Sequence, residues 1–288
     1  DLDVLARRTP GFTGADLANL MNEAALLAAR HDRQQIAMFE MEEAIDRVIA
    51  GPERKSRVMS EKEKKVIAYH EGGHALVGHV LPHADPVHKV SIVARGRALG
   101  WTLSLPIEDK YIVSRSELRD ELAVLLGGRT AEELIFNEPT TGAQNDIEKA
   151  TEIARSMVTE YGMSDALGPQ QLGQKHGEVF LGRDMGHQAN YSPEVAARID
   201  SEVRALIDNA HIEARAILTK HRETLDRLAD ALMEKETLDT PELMEVFAEL
   251  PVWAGVAGAN SNGKSVSNGT ATKPEAAPKK RVRRPTAG

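Results

Sequence analysis

Residues 60–82 have the sequence SEKEKKVIAYHEGGHALVGHVLP, in which two histidines stand four positions apart. The stretch predicts one helix of about 20 residues, because it has no proline before Pro82 and begins with Ser60, a residue that can cap a helix. Side chains four residues apart lie on the same face of a helix, one turn from each other. His70 and His74 are therefore predicted to project side by side and to share a metal ion.

The motif is His-Glu-x-x-His, with Glu71 placed between the two histidines. Such a motif supplies two zinc ligands and a carboxylate that can accept a proton from an attacking water. Glu71 is therefore the candidate general base. Gly72 and Gly73 each weaken a helix interior by about 1 kcal/mol relative to alanine, which predicts that another group approaches the helix backbone closely there.

The composition limits the possible sites and partners. The chain has no cysteine, so any metal ligands must come from His, Asp or Glu. No apolar run is long enough to span a bilayer, and we expect a soluble protein. The net charge is -8 although residues 251–288 are basic, so the rest of the chain is strongly acidic and nucleic acid is not expected as a partner. The chain starts at Asp1 inside a helical pattern, and we expect a fragment.

The pattern of apolar residues predicts a mainly α fold with a small β-sheet or hairpin. Residues 1–52 are expected to form a small helical subdomain, and residues 53–250 the domain that contains the His-Glu helix. Residues 251–288 are rich in Gly, Ser, Asn, Pro, Lys and Arg, and we expect a disordered basic tail. The predicted hairpin joins 87–94 to 99–105, and later helices are expected at 114–136, 145–161, 192–220, 223–234 and 240–249.

A catalytic zinc site normally has three protein ligands, so one ligand remains to be found. The metzincin continuation is excluded, because it would need Gly and His where the chain has Val77 and Val80. The remaining candidates are Glu132, Glu133 and Asp146 on later predicted helices. The glutamates also suit an ordinary amphipathic surface, and an aspartate suits the first turn of a helix. Spacing alone does not choose among them.

Five stretches of the chain carry a more specific signal. They are TPGFTGADL at 9–17, HEGGH at 70–74, GWT at 100–102, GAQNDI at 142–147 and YGMS at 161–164. In this order and spacing they resemble the FtsH family of membrane-anchored AAA proteases, over residues 1 to about 250. The resemblance implies that Asp146 is the third zinc ligand. Glu132 and Glu133 are the second choice for the third ligand and the first choice for residues that support the ligands. Asn145 is a candidate for orienting Asp146.

The resemblance also implies a domain order, a helical AAA lid at 1–52 followed by a helical zinc-peptidase domain at 53–250. In such a lid, Gly14 and Ala15 border the nucleotide. The phosphate-binding motif Gly-x-x-x-x-Gly-Lys-Ser/Thr does not occur in the sequence. ATP and Mg²⁺ are therefore expected to act only through an ATPase core that is missing from this chain. Gly72 stands where the family usually has alanine, a change expected to leave the chemistry intact.

The function implied is that of the zinc endopeptidase part of an ATP-dependent quality-control protease, with one Zn²⁺ per chain. The resemblance further implies unfolded or membrane proteins as substrates and a homo-hexamer as the assembly. The full-length protein is expected at the cytoplasmic face of the inner membrane, attached through segments absent from this chain.

Gly100, Trp101 and Thr102 belong to the second predicted strand. A glycine lets another backbone come close, and the strand is a candidate edge onto which an unfolded substrate peptide can add. A plain core hairpin is an equal alternative for this strand. Two rival functions are a non-catalytic helical lid or adaptor with a fortuitous or degenerate His-Glu-x-x-His, and an ATPase regulatory fragment that acts only through the lid.

Overall fold

The computed structural model describes residues 2–54, 59–96, 98–106, 110–173, 191–248 and 250–253, and this part of the chain is mainly helical. The predicted fold class, mainly α with a small sheet, is confirmed. In chain order the elements are α1 (Leu2–Arg8), α2 (Gly14–Arg30), α3 (Met38–Ala50), α4 (Glu61–Val80), β1 (Val87–Ser91), β2 (Trp101–Ser104), α5 (Arg115–Phe136), α6 (Gln144–Thr159), α7 (Pro193–Lys220), α8 (Arg222–Lys235), β3 (Thr237–Asp239) and α9 (Thr240–Phe247).

Helix α4 carries the two histidines and begins at a capping box. The backbone nitrogen of Glu63 donates to Ser60 Oγ at 3.2 Å, and the backbone nitrogen of Ser60 donates to the Glu63 carboxylate at 2.9 Å. These bonds satisfy backbone donors that have no partner within the helix. From Ile67 to Val80 most residues of α4 are buried, because helices and the sheet cover it on several sides.

Helices α4 and α5 approach each other through glycines. A Cβ atom added at Gly73 would lie 2.5 Å from the carbonyl oxygen of Gly127, and one at Gly127 would lie 2.8 Å from that of Gly73. Only glycine permits this backbone contact. At Gly72 the neighbours are instead the side chains of Leu225 and Leu228, at 3.3 and 3.5 Å. The expected close approach is thus confirmed, with the α5 backbone as the group that approaches Gly73.

The sheet has the strand order β2-β1-β3, and both pairs are antiparallel. The predicted hairpin is therefore present as β1 and β2, although both strands are shorter than predicted. Strand β2 lies at an edge of this sheet. Strand β3 was not predicted, since its three residues between α8 and α9 are too few to show an alternating pattern.

Helices α2 and α3 share a small hydrophobic core of their own, separate from the core around α4. Two ion pairs join α3 to the strand region. Lys89 Nζ on β1 lies 2.7 Å from Asp46 Oδ2 on α3, and both side chains are less than 10% exposed, at 9% and 8%. Arg95 donates to both carboxylate oxygens of Glu43, at 3.1 and 3.0 Å. Burial raises the pKa of Asp46, while the Lys89 ammonium acts in the opposite direction.

The C-terminal end of the described residues packs against the helices. The backbone nitrogen of Trp253 donates to the Val80 carbonyl at 2.8 Å, and its indole Nε1 donates to Glu213 at 3.1 Å. The tail was expected to start at residue 251, but these contacts order 251–253. The rest of the predicted basic tail, 254–288, lies outside the described residues. None of the helices in the described ranges combines the length and apolar character needed to cross a bilayer.

The buried pair between Asp46 and Lys89 gives a test of the packing. Asp46→Ala removes the nearer carboxylate from the buried Lys89 ammonium and leaves only the half-exposed Asp239, 3.3 Å away. We therefore expect the free energy of unfolding to fall by about 2 kcal/mol in urea denaturation. Glu23→Ala removes a more exposed partner, which lies 3.0 Å from Arg47, and it should change that free energy by less than about 1 kcal/mol. Equal effects of the two substitutions would contradict this account of the packing.

Candidate metal centre

His70 and His74 on α4 point their Nε2 atoms at one place, and Asp146 in the first turn of α6 points a carboxylate oxygen at the same place. The two Nε2 atoms are 3.1 Å apart. Asp146 Oδ2 lies 3.4 Å from Nε2 of His70 and 3.5 Å from Nε2 of His74. Among the described residues, these three form the cluster of side chains able to hold a metal ion.

The spacing of these three atoms fits zinc. In a tetrahedral site with bonds of about 2.0–2.1 Å, neighbouring ligand atoms are about 3.3 Å apart. The three separations in the structure, 3.1, 3.4 and 3.5 Å, lie close to that value. Two imidazole nitrogens and one carboxylate oxygen are also a usual donor set for zinc. A fourth coordination position would remain for water or substrate.

Hydrogen bonds from the far side of each ring fix the orientation of the imidazoles. His74 Nδ1 lies 2.7 Å from the carbonyl oxygen of Val124, and His70 Nδ1 lies 2.7 Å from Glu132 Oε1. A carbonyl and a carboxylate only accept, so each Nδ1 carries the proton. In the neutral rings, both Nε2 lone pairs are therefore free for a metal. Glu132 is itself held by the backbone nitrogen of Thr140, at 2.6 Å.

The charges around the rings favour a cation. Burial alone would lower the pKa of His70, but Asp146 and Glu132 raise it to about 10. Burial acts to raise the pKa of the Glu132 and Asp146 carboxyl groups. Their hydrogen bonds, above all those from the imidazoles, outweigh burial and hold each pKa below its usual value. The negative charge of these two carboxylates, which stabilises a proton on the His70 imidazole, would stabilise a divalent cation at the same place.

Glu71, the candidate base, is buried beside this cluster. Glu71 is 7% exposed, and burial raises the pKa of its carboxyl group. Thr102 Oγ1 on β2 donates to Glu71 Oε2 at 2.8 Å. Gly100 lies against the same side chain, since a Cβ atom there would be 2.8 Å from Glu71 Oε1. The glycine therefore makes room for a side chain, whereas we expected it to admit another backbone.

A cleft of 1290 Å³ gives access to these groups. Its walls come from α4, β2, α5 and the start of α6. Carboxylates and imidazoles lie at one part of the wall, and apolar side chains lie around them. The residues named above that line it are His70, Glu71, His74, Gly100, Thr102, Glu132 and Asp146, and the apolar ones include Ile67, Leu99, Trp101, Val124 and Leu125.

The sequence comparisons agree with this geometry. The family model described as peptidase family M41 matches residues 57–246, and the AAA+ lid domain matches residues 1–41. The chain belongs to peptidase family M41. This membership, with the lid match before it, confirms the predicted resemblance to the C-terminal part of the FtsH family.

Three relatives illustrate the similarity to this M41 chain. ATP-dependent zinc metalloprotease FtsH 3 of Symbiobacterium thermophilum is 59% identical over 251 residues, which are 87% of this chain and 40% of that protein. FtsH 1 of a Thermoanaerobacter species is 61% identical, over 85% of this chain and 40% of its own length. FtsH of Thermotoga maritima is 56% identical, over 86% and 41%. The chain spans about two fifths of the length of these relatives.

Two predicted supporting residues of the M41 chain, Glu133 and Asn145, make no hydrogen bond to the three candidate ligands within the described residues. Glu133 points away from the histidines, toward Arg129 and Arg215, at 3.2 and 2.7 Å. It is adjacent to Glu132 in a helix, so the two side chains diverge by about 100°. Asn145 is exposed and lines the cleft next to Asp146. The ion pairs of Glu133 do not support its predicted place beside the ligands, and the predicted role of Asn145 stays a prediction.

The lid residues Gly14 and Ala15 are exposed at the first turn of α2. Thr13 caps that helix, and its side chain accepts from the backbone nitrogen of Asp16 at 3.3 Å. Their predicted place beside a nucleotide stays a prediction.

Gly128 on α5 is a site residue that sequence reasoning missed. A Cβ atom there would lie 2.5 Å from His74 Nε2 and 2.7 Å from His70 Nε2. The α5 backbone thus passes directly beside the two rings. The sequence signal was the pair Gly127-Gly128 inside a predicted helix, where two glycines are unfavourable unless something packs against them.

Gly128→Ala tests how the site is built. The added methyl group would displace the imidazoles, so we expect Zn²⁺ affinity to fall at least about tenfold, as for loss of a supporting group around a metal. A competition titration with a chromophoric chelator measures this affinity. Gly78→Ala on α4 is the matched control, because its Cβ would meet only ordinary contacts from 3.5 Å outward. Equal Zn²⁺ affinity in the two variants would contradict the prediction.

Proposed function

We propose that this chain is the zinc-dependent endopeptidase part of an ATP-dependent protease of the FtsH type. The observation that carries the proposal is the convergence of His70, His74 and Asp146, with ligand atoms no more than 3.5 Å apart, beside the buried Glu71. In this proposal residues 53–250 form the peptidase domain and residues 1–52 the AAA lid. The separate hydrophobic core of the lid helices supports that division.

His70, His74 and Asp146 would hold one Zn²⁺ per chain. When bound, the ion lowers the pKa of water and polarises the substrate carbonyl. Glu71 accepts the proton of the attacking water and passes it to the leaving amine. Its buried position supports this role, because a raised pKa brings a carboxylate closer to the pH at which it must exchange a proton. Glu132 keeps the His70 ring oriented.

The proposed substrates are unfolded segments of soluble or membrane proteins. Strand β2 lies at the edge of the sheet and borders the cleft through Trp101, Thr102 and Ser104. An extended peptide can add to such an edge through main-chain hydrogen bonds, which place little demand on sequence. Gly100, Trp101 and Thr102 are therefore proposed as the substrate strand.

The proposed partners follow from the lid. An AAA lid serves an ATPase core, and Gly14 and Ala15 at the start of α2 are proposed to border its nucleotide. The working assembly is proposed to be a homo-hexamer at the cytoplasmic face of the inner membrane. The relatives named above are ATP-dependent zinc metalloproteases, and that description supports the proposal.

Metal analysis of the purified chain tests the ligand set. We expect about one zinc per chain in the wild type and loss of zinc in Asp146→Ala, because two imidazoles alone hold the ion weakly. Glu133→Ala is the matched control and should keep its zinc, since Glu133 pairs with Arg215 and His211 and not with His70 or His74. A wild-type chain that takes up no zinc would instead favour the non-catalytic adaptor.

Glu71→Gln tests the base. The amide keeps the shape of the side chain but cannot accept the proton, so zinc should remain bound while cleavage of an unfolded, fluorescently labelled protein falls by about a hundredfold or more. Glu61→Gln on the same helix is the control, because Glu61 is exposed in the first turn of α4 and is not among the residues that line the cleft. It should cleave nearly as fast as the wild type. Cleavage by Glu71→Gln at the wild-type rate would refute the assigned role.

A further inference from the structure

The carboxylate of Glu71 is held from outside its own helix by one side chain. Thr102 Oγ1 donates to Glu71 Oε2 at 2.8 Å. Within the described residues, no other side chain makes a hydrogen bond to this carboxylate. A glutamate has three rotatable side-chain bonds, and a fully buried one has few ways to restore a lost hydrogen bond. The position of the carboxylate therefore depends on Thr102.

Gly100 shapes the other side of the same carboxylate. A Cβ atom at Gly100 would lie 2.8 Å from both Cγ and Oε1 of Glu71, and 2.7 Å from Cγ2 of Ile67. Gly100 directly precedes β2, and both its Cβ position and the Thr102 hydroxyl face Glu71. Gly100 thus gives open space to the Glu71 side chain, and Thr102 gives it a hydrogen-bond donor.

We propose that Thr102 and Gly100 are positioning residues for Glu71. Thr102 fixes the carboxylate in one orientation, and Gly100 leaves the space that this orientation requires. The inference rests on the proposed function, in which Glu71 is the base. It adds that the base is positioned by the sheet as well as by the helix that carries it.

The arrangement has a consequence for substrate binding. On one side, Thr102 pairs with Val90 of β1, and β2 has no further partner strand on the other side among the described residues. A peptide that adds to the free side would be aligned by the strand that also holds the base. Strand β2 would thus fix the scissile bond and Glu71 relative to each other, as proximity effects in catalysis require.

The test compares Thr102→Val with Thr102→Ser in the whole chain. Valine keeps the shape of threonine but removes the donor, so we expect kcat for a fluorogenic peptide to fall about ten- to a hundredfold, with KM and bound zinc little changed. Serine restores the hydroxyl and should restore most of kcat. Thr237→Val on β3 is the matched control, because it removes a sheet hydroxyl that bonds to Ser91 at 2.7 Å and does not touch Glu71.

The outcomes separate the two proposals. Wild-type kcat in Thr102→Val, together with loss of activity in Glu71→Gln, overturns the positioning role alone. Wild-type activity in Glu71→Gln overturns the base assignment and this inference with it. A fall in kcat that serine does not restore, or that Thr237→Val reproduces, also overturns the positioning role.

A crystal structure of Thr102→Val gives a readout that does not depend on turnover. The inference expects the Glu71 carboxylate to leave its wild-type orientation or to lose defined electron density, while His70, His74 and Asp146 stay in place. An unchanged Glu71 side chain overturns it. In Gly100→Ala the same displacement of Glu71 is expected, and its absence would count against the role of the glycine.

Discussion

The backbone contact between α4 and α5 is the constraint on which the site depends. Gly73 and Gly127 let the two helices meet without side chains between them. Because the helix backbones touch there, the next residue, Gly128, passes directly beside both imidazoles. The same helix supplies both acceptors that orient the rings, the Val124 carbonyl and the Glu132 carboxylate. A wider spacing would separate the histidines from the groups that aim them.

The electrostatics of the site follow from this close packing. Glu71, Glu132 and Asp146 bring three carboxyl groups to a largely buried region, where unpaired negative charge is unfavourable. Hydrogen bonds stabilise two of these groups as carboxylates, and burial raises the pKa of Glu71. A cation bound between the imidazoles and Asp146 would offset this negative charge. Helix α4 supplies two of the proposed ligands and the proposed base, α6 supplies the third proposed ligand, and β2 donates a hydrogen bond to that base.

Local sequence signals were enough to predict the helices. The capping pairs Thr13–Asp16 and Ser60–Glu63 mark the starts of α2 and α4, and apolar periodicity marks most later helices. The His-Glu-x-x-His motif predicted that His70 and His74 meet, because helix geometry places residues four apart on one face, and it named Glu71 as the candidate base. Within the chain, Asp146 could be chosen over Glu132 only by resemblance, because contacts between distant helices leave no mark in spacing. For the same reason the sequence could not predict that Glu133 points away from the histidines, that Gly128 contacts both imidazoles, or that Thr102 donates to Glu71.

The central claim is that α4, α5 and α6 together bring three ligand atoms around one cation. Anomalous diffraction at the zinc absorption edge, from crystals of the chain grown with zinc, tests it most directly. The account predicts one strong peak about 2.0–2.1 Å from Nε2 of His70, Nε2 of His74 and a carboxylate oxygen of Asp146. A peak elsewhere, or a bound zinc that Asp146 does not touch, would contradict it.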